Sequence, residues 1–80
     1  MKNLTILFFG QLKTTWNNSQ LQWQTSCDTI ECLYAELLQT AADTPFKDSI
    51  KVAINDDFAQ WQSPISDGDT IAFLPPASGG

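Results

Sequence analysis

One stretch near the middle of the chain has a strong helical period, and it constrains the fold more than any other feature. Its apolar residues recur at steps of three and four: Ile30, Leu33, Tyr34, Leu37, Leu38 and Ala41. This spacing predicts one amphipathic helix with a single buried side. Asp28 and Glu31 form a capping-box pattern at its start, and Thr29 is a competing N-cap. Pro45 ends the pattern, because the residue before a proline is disfavoured in the α region.

The segments on both sides of this helix alternate apolar and polar residues, which is the period of a β-strand. The predicted strands cover residues 4–9, 20–25, 50–54, 58–61 and 70–74. Strands on both sides of one helix predict an α+β fold, with a mixed sheet of four to five strands and the helix packed on one face. Residues 10–19 are interpreted as an irregular connection, in which Trp16 has no assigned role.

The composition indicates one small acidic domain that spans residues 1–80. Three Trp, one Tyr and five Phe within 42% hydrophobic residues are enough for a single core, which excludes a disordered chain. Four Lys, no Arg and a net charge of −5 argue against nucleic-acid binding, because phosphate groups need a basic face. The acidity suits a basic protein partner, or it simply favours solubility. No apolar run approaches a membrane span and no signal-peptide pattern is present, so we expect a cytoplasmic protein without a membrane partner.

The chain has no histidine, which excludes a His-based catalytic triad or a histidine metal site within it. Cys27 and Cys32 are five residues apart, a spacing that matches neither a CxxC redox pair nor a zinc site. We therefore expect two reduced thiols in a cytoplasmic protein, with Cys32 as a small core residue of the helix. Cys27 is an alternative candidate for carrying a persulfide. No metal site is predicted.

The first strand has apolar residues on both sides, whereas a half-solvated sheet should carry polar residues on one of them. Leu4, Ile6 and Phe8 share one side and are assigned to the core. Leu7 and Phe9 lie on the other side. Either a loop covers these two residues or they form a contact surface for another protein.

The last ten residues run from an apolar strand into a slender end. Pro75-Pro76 ends sheet pairing and keeps the exit extended, because proline fixes φ and lacks an N–H. Ala77-Ser78 and Gly79-Gly80 carry no large side chain, so this end suits a narrow channel. Its distinctive group is the α-carboxylate of Gly80, which becomes an acyl donor when it is activated as a mixed anhydride. A frayed terminus is the alternative interpretation.

The order of these features resembles a known family. A turn at 67–69, a strand, Pro-Pro, two small residues and a terminal Gly-Gly are similar to the small subunit of molybdopterin synthase, a ubiquitin-like sulfur carrier of the MoaD/ThiS type. Residues 7–9 resemble the family's first strand and residues 53–55 its third. The resemblance implies a β-grasp fold like that of ubiquitin, with the first and last strands adjacent and parallel at the centre of the sheet. The outward residues at the ends of these two strands would then be neighbours on the open face.

The resemblance implies that the chain is a non-autonomous subunit of a sulfurtransferase, with no permanently bound cofactor. An adenylating enzyme uses ATP to convert the Gly80 carboxylate into an acyl-adenylate, and a sulfur donor displaces AMP to leave a thiocarboxylate. The chain docks on the large subunit in a heterotetramer, where residues 77–80, which end in Gly79 and Gly80, enter the active site. The sulfur then passes to a cyclic pyranopterin precursor of the molybdenum cofactor. The residues expected to contact the partner are Leu7, Phe9, Leu74, Pro75, Pro76, Ala77 and Ser78.

Three other functions are compatible with the sequence. A sulfur carrier for thiamine or cysteine synthesis would use the same chain end, although the length and the Phe-Leu-Pro-Pro step favour the molybdopterin pathway. A ubiquitin-like modifier would be joined through Gly80 to lysines of target proteins. A plain β-grasp interaction module would carry the Gly-Gly end only incidentally. The partner enzymes distinguish these functions, and the sequence does not reveal them.

Overall fold

The structure, a computed structural model, describes residues 1–10, 12–16, 18–40 and 50–75. Within these ranges the chain forms five strands and two helices. In chain order they are β1 (Lys2–Phe8), α1 (Leu12–Trp16), β2 (Gln20–Thr25), α2 (Ile30–Leu38), β3 (Lys51–Ile54), β4 (Asp57–Ala59) and β5 (Thr70–Leu74). Ala41 and Pro45, which were assigned to the end of the long helix, lie outside the described residues.

The five strands form a mixed sheet in the order β2-β1-β5-β3-β4. β1 and β5 lie side by side at its centre and run parallel, while the other neighbouring pairs are antiparallel. Ile6 pairs with Ile71 and Phe8 with Phe73, so the two central strands end at the same edge of the sheet. This arrangement confirms the predicted α+β class, the mixed sheet and the parallel central strands.

The core lies between α2 and one face of the sheet. The inward residues of β1 are the ones assigned to the core from the sequence, and their exposed fractions are 0–1%: Leu4, Ile6 and Phe8. The helix contributes four buried side chains with the predicted spacing: Ile30, Leu33, Tyr34 and Leu37. Leu38 is only partly buried at the margin of this cluster. Because each large apolar side chain buried contributes about 1.5–3 kcal/mol, this one layer accounts for much of the stability of so short a chain.

An aromatic cluster fills the centre of the core. Phe8 stacks on Trp16 with ring centroids 4.6 Å apart, and Tyr34 lies 6.0 Å from Trp16, 5.1 Å from Trp61 and 5.4 Å from Phe73. The Tyr34 hydroxyl is buried, and no hydrogen-bond partner for it is present in the described part of the chain. Desolvation by burial raises the pKa of Tyr34 above its ordinary value, because the phenolate would be poorly solvated there.

Residues 10–19 contain a helix that the sequence analysis missed. Leu12 and Trp16 of α1 are buried, with exposed fractions of 0% and 7%. The Trp16 indole Nε1 donates a hydrogen bond to the carbonyl of Leu37 at 3.0 Å. The prediction of an irregular connection is therefore wrong, and the role of Trp16 is to join α1 and Phe8 to the end of α2.

The start of α2 resolves the choice between the two proposed caps. Thr29 is the N-cap, with extended backbone, and its Oγ1 accepts a hydrogen bond from the amide of Cys32 at 3.2 Å. Asp28 instead accepts a hydrogen bond from the Lys2 ammonium at 3.0 Å. The capping box suggested by Asp28 is wrong, and the competing assignment to Thr29 is confirmed.

Cys27 and Cys32 form a disulfide, which contradicts the prediction of two reduced thiols. Their Cα atoms are 5.6 Å apart because the turn before α2 folds back against the first turn of the helix. Cys27, not Cys32, is the core residue: Cys27 is 6% exposed, whereas Cys32 is exposed. Cys32 points away from the core because it lies outside the buried stripe of α2.

Candidate partner-binding surface

The sheet face opposite α2 carries a compact group of apolar side chains near the ends of β1 and β5. We call it the open-face patch, and its members line a cavity of about 180 Å³: Leu7, Phe9, Ala53, Phe58, Ala72 and Leu74. Asp56 also lines this cavity and supplies a carboxylate. The structure therefore brings together three residues that the sequence analysis assigned to a partner contact, namely Leu7, Phe9 and Leu74.

Strand register explains why these residues meet. Leu7 pairs with Ala72, Ala72 with Ala53, and Ala53 with Phe58, so one row of side chains crosses four strands on the same face. Two alanines form the middle of this row, and larger side chains stand at both ends. The small alanine side chains leave a depression between Leu7 and Phe58, which is the shape needed to receive a protruding group.

The open-face patch is unusually exposed for apolar side chains. Phe58 is 81% exposed and Phe9 is 40% exposed, while Leu7 and Leu74 are half-buried. In the described part of the chain the large hydrophobic residues with high exposure are Met1, Phe9 and Phe58, so two of them fall within this small area. A clustered apolar surface of this kind marks an interaction site more often than a scattered one does.

Three members of the patch were missed by the sequence analysis: Ala53, Phe58 and Ala72. Phe58 follows a two-residue hairpin turn, in which Asn55 and Asp56 have φ angles of 52° and 75°. Asn and Asp tolerate such angles, so the turn itself was recognisable from the sequence. The two alanines gave no signal, because their membership depends on pairing between distant strands.

The other half of the open face is polar. Gln22 of β2 donates from Nε2 to Thr5 Oγ1 at 3.1 Å, and Gln24 donates from Nε2 to Asn3 Oδ1 at 2.8 Å. These cross-strand hydrogen bonds link β2 to the first half of β1. Apolar and polar residues are thus segregated on the open face, and the apolar part lies at the edge where β5 ends.

The start of the C-terminal segment is held beside this patch. Gly10 has a φ of +57°, and a Cβ atom there would be 2.7 Å from Pro75 Cγ. A glycine is therefore required by both its backbone angle and its contact. The amide of Phe9 also donates to the carbonyl of Phe73 at 3.3 Å. Gly10 was not recognised as a functional position from the sequence, although a glycine directly after a strand was the available signal.

The remaining predicted residues of the C-terminal end lie outside the described residues: Pro76, Ala77, Ser78, Gly79 and Gly80. Pro75, the last described residue, is half-buried and directly follows β5. The structure therefore describes two parts of the candidate site, namely the open-face patch and Pro75, from which the C-terminal end continues.

The turn before β5 fixes the register on which the patch depends. Gly68 has a φ of +88°, and its amide donates to the Asn3 carbonyl at 2.8 Å. Asp67 Oδ1 accepts from the amide of Asn3 at 2.6 Å, and Asp69 Oδ2 accepts from the amide of Ser66 at 2.8 Å. These carboxylates hold the turn and align β5 with β1, which is why the acidic residues here are structural.

In the described ranges, His, Cys, Asp and Glu side chains do not gather in any group of three that could hold a metal ion. Neither helix of the described chain is long and apolar enough to cross a membrane.

Comparison with solved structures supports the fold. SAMP1 from Haloferax volcanii superposes with a TM-score of 0.79 at 22% identity, covering 98% of this chain and 99% of that chain. In the complex of subunits 1 and 2 of molybdopterin-converting factor from Helicobacter pylori, the matching chain gives a TM-score of 0.69 at 24% identity, over 98% of this chain and 99% of that chain. At these identities the likeness establishes the β-grasp, ubiquitin-like fold.

Comparison of sequences establishes the family. The molybdopterin synthase sulfur carrier subunit of Haemophilus influenzae is 31% identical over 80 residues, which cover 96% of this chain and 99% of the relative. The model of the ThiS family matches residues 6–80, a range that includes the end of β1, the whole of β5 and the Gly-Gly end. On both grounds this chain belongs to the ThiS family of sulfur-carrier proteins.

Proposed function

We propose that this chain is the sulfur-carrier small subunit of a molybdopterin synthase and that Gly80 carries the sulfur. One spatial observation carries the proposal: the open-face patch lies at the edge of the sheet from which β5 leads into the Gly-Gly end. A partner that covers the patch therefore meets the C-terminal segment at the same contact. The identity with the Haemophilus influenzae sulfur carrier subunit supports the choice of pathway.

The open-face patch is suited to docking on a large subunit. Interface energy is concentrated in a few aromatic or large apolar anchors surrounded by polar residues. Phe58 and Phe9 are exposed anchors of this kind, and burying one phenylalanine side chain contributes about 2 kcal/mol. The hydrogen-bonded Gln22 and Gln24 beyond them provide a polar border. A net charge of −5 favours encounter with a basic partner surface.

The contact between Gly10 and Pro75 gives the donor segment a fixed starting point. In the proposed complex the five residues after Pro75 enter the partner's active site: Pro76, Ala77, Ser78, Gly79 and Gly80. Fixing the start of the segment reduces the conformational freedom lost when its end is captured. A channel closed to water would then protect the thioacid and hold it near its acceptor.

The proposed chemistry takes place on the terminal carboxylate. An adenylating enzyme lets a carboxylate oxygen of Gly80 attack the α-phosphorus of ATP, and pyrophosphate leaves. A donor whose sulfur is at the oxidation level of sulfide then attacks the acyl carbon, AMP departs with the bonding electrons, and a thiocarboxylate remains. Its sulfur finally forms a C–S bond to an electrophilic carbon of the cyclic pyranopterin precursor. Water then cleaves the acyl C–S bond of the resulting thioester, which leaves the sulfur on the precursor and restores the carboxylate of Gly80. We assign the acid–base groups to the large subunit, so the chain acts as a cytoplasmic cosubstrate that cannot catalyse the reaction alone.

Intact mass spectrometry of the chain purified from its native host tests this function. We expect a fraction whose mass is raised by the exchange of one oxygen for sulfur, localised to Gly80 by fragmentation. A variant that lacks Gly80 should lose sulfur transfer completely and keep its thermal stability. Sulfur transfer by that variant, or a native product that continues beyond residue 80 without processing, would contradict the proposal.

The same experiment separates the other functions. Adducts that join Gly80 to lysines of foreign proteins would indicate a ubiquitin-like modifier. A thiocarboxylate that supports thiamine or cysteine synthesis in a reconstituted assay, without supporting molybdopterin formation, would keep the carrier chemistry and change the pathway.

A further inference from the structure

We propose that Cys27 and Cys32 form a reversible thiol–disulfide exchange site whose reactants are low-molecular-weight thiols of the glutathione class. The disulfide joins the turn before α2 to the first turn of that helix. It lies near the end of β2, where Thr25 pairs with Lys2 at the start of β1. The open-face patch lies at the other end of β1, so the two sites are separate.

The two cysteines differ in exposure. Cys32 is exposed, whereas Cys27 is 6% exposed and belongs to the hydrophobic core cluster. Thiol–disulfide exchange needs a thiolate to reach one sulfur of the bond, and access decides which sulfur is attacked. The structure therefore assigns Cys32 as the attacked sulfur and Cys27 as the leaving sulfur. A neutral Cys27 thiol suits its apolar surroundings, because an unpaired cysteine behaves as a small hydrophobic side chain.

Two external thiols are consumed when the protein disulfide is reduced to two thiols. The first thiolate attacks Cys32 Sγ, the Sγ–Sγ bond breaks, and Cys27 leaves as a thiolate that takes up a proton. A mixed disulfide then joins Cys32 to the external thiol. The second thiolate attacks the external sulfur of this mixed disulfide, releasing Cys32 and one molecule of oxidised thiol. The protein disulfide gains two electrons and two protons, and the two external thiols lose them.

The turn that carries the disulfide is also held by hydrogen bonds that involve neither sulfur. The Thr29 side chain caps α2 through the amide of Cys32. Backbone hydrogen bonds also tie this turn to the segment before β5: Ile30 N to Ser63 O at 3.3 Å, Glu31 N to Trp61 O at 2.9 Å and Ile65 N to Asp28 O at 3.0 Å. The disulfide closes only the short loop from Cys27 to Cys32, so opening it restores little chain entropy to the unfolded state. We therefore expect the reduced and the oxidised forms both to be folded.

The cytoplasm, which is the compartment proposed above, contains the thiols that would react at this site. Glutathione keeps most cytosolic thiols reduced, and the disulfides that do form there are usually transient or redox-sensing. The exchange chemistry itself does not depend on the sulfur-carrier function, because neither cysteine lies in the patch or in the residues that lead to Gly80.

Equilibration of the native wild-type chain with mixtures of reduced and oxidised glutathione tests the proposal. Thiols are trapped with iodoacetamide and counted by intact mass, while far-ultraviolet circular dichroism reports folding. We expect the disulfide and the dithiol forms to interconvert without denaturant and to share one spectrum. A disulfide that is reduced only after the chain unfolds in urea, or a reduced form that is unfolded, would overturn the proposal.

A matched pair of variants tests the assignment of the two sulfurs. Cys27→Ala keeps only the exposed thiol and Cys32→Ala keeps only the buried one. With oxidised glutathione, the mixed disulfide should form at Cys32 at least about tenfold faster than at Cys27. Limiting iodoacetamide on reduced wild-type chain gives the same information without variants, since the first label should be on Cys32. Equal rates, or preferential labelling of Cys27, would contradict the assignment.

Discussion

Phe8 and Phe9 are neighbours in the sequence but lie on opposite faces of the sheet. Phe8 is 1% exposed and stacks on Trp16, whereas Phe9 is 40% exposed and lines the open-face patch. Phe73 and Leu74 repeat this difference in β5, the strand that leads to the C-terminal end. Because side chains alternate along a strand, the two central strands supply the core with one face and the open-face patch with the other. The comparison shows that a buried and an exposed apolar side chain are separated here by a single step along the chain.

The largest expected effect is on the free energy of unfolding, which should differ between variants of Phe8 and Phe9. Phe8→Ala should lower the free energy of unfolding by about 3–5 kcal/mol, because it removes a buried ring from between Trp16 and Phe73. Phe9→Ala should cost about 1 kcal/mol or less, because much of its ring already faces water. Urea denaturation followed by tryptophan fluorescence measures both values. Similar losses for the two variants would show that the open face also supports the fold.

The second effect is on affinity for the large subunit, which should differ between the apolar and the polar half of the open face. Phe9→Lys should weaken affinity for the large subunit about a hundredfold, since it places a charge among apolar anchors. Gln22→Lys introduces the same charge in the polar half of the open face and should change affinity by about threefold or less. Calorimetric titration of each variant with the large subunit gives the comparison. Equal weakening would mean that charge, and not the position of the patch, governs docking.

The alternation in β1 was enough to predict both faces of the sheet, because each residue's side is fixed by its own position in the strand. The helical period of α2 identified its core residues for the same reason. α1 was missed because its five residues make less than two turns, too few to display a period. Trp16 could be given a role only when its hydrogen bond to Leu37 was known.

Features that depend on pairing between distant segments could not be predicted from local patterns. Ala53 and Ala72 belong to the patch because β3 and β5 are paired in a particular register. The bond between Cys27 and Cys32 depends on how the turn before α2 folds, which a spacing of five residues does not determine. The family resemblance predicted Leu7, Phe9 and Leu74 together, since it supplied the parallel pairing that local patterns lack.

The third effect tests how the chain leaves the sheet next to Phe9. Gly10→Ala should lower stability by about 2 kcal/mol, through its positive φ and through contact of the new Cβ with Pro75. Gly68→Ala is the matched control, because its φ is also positive but nothing lies within 4 Å of the new Cβ. Gly68→Ala should cost only about 1 kcal/mol, because the unfavourable φ is not accompanied by a close contact.

Pro75→Ala removes the Cγ atom that Gly10→Ala would meet, so the double variant isolates the contact. We expect the double variant to recover part of the loss in stability, with a coupling energy of about 1 kcal/mol. Thermal unfolding and single-turnover sulfur transfer measure the two consequences. Strict additivity of the two changes would show that Gly10 is needed only for its backbone angle.

The smallest effect concerns the covered face, where Tyr34 places a hydroxyl among buried apolar side chains. Its buried hydroxyl has no hydrogen-bond partner in the described residues, so Tyr34→Phe should raise stability at neutral pH by about 0–1 kcal/mol. Burial raises the pKa of Tyr34 above 10.0, so the folded chain keeps a proton that the unfolded chain loses. The stability of the wild-type chain should therefore fall as pH rises above about 10, and the variant should lack this contribution.

Tyr34 is the one tyrosine of the chain, so absorbance at tyrosinate wavelengths reports its ionisation directly. The folded wild-type chain should begin to ionise only above the ordinary pKa of a tyrosine, and unfolding in urea should return the titration to about pH 10. Wild type and Tyr34→Phe share every other titratable group, so the difference between their pH profiles isolates the phenol. Ionisation of Tyr34 in the folded chain at or below the ordinary pKa of a tyrosine would show that water reaches the covered face. The two faces of the sheet would then differ less in solvent access than the burial of Phe8 and Tyr34 indicates.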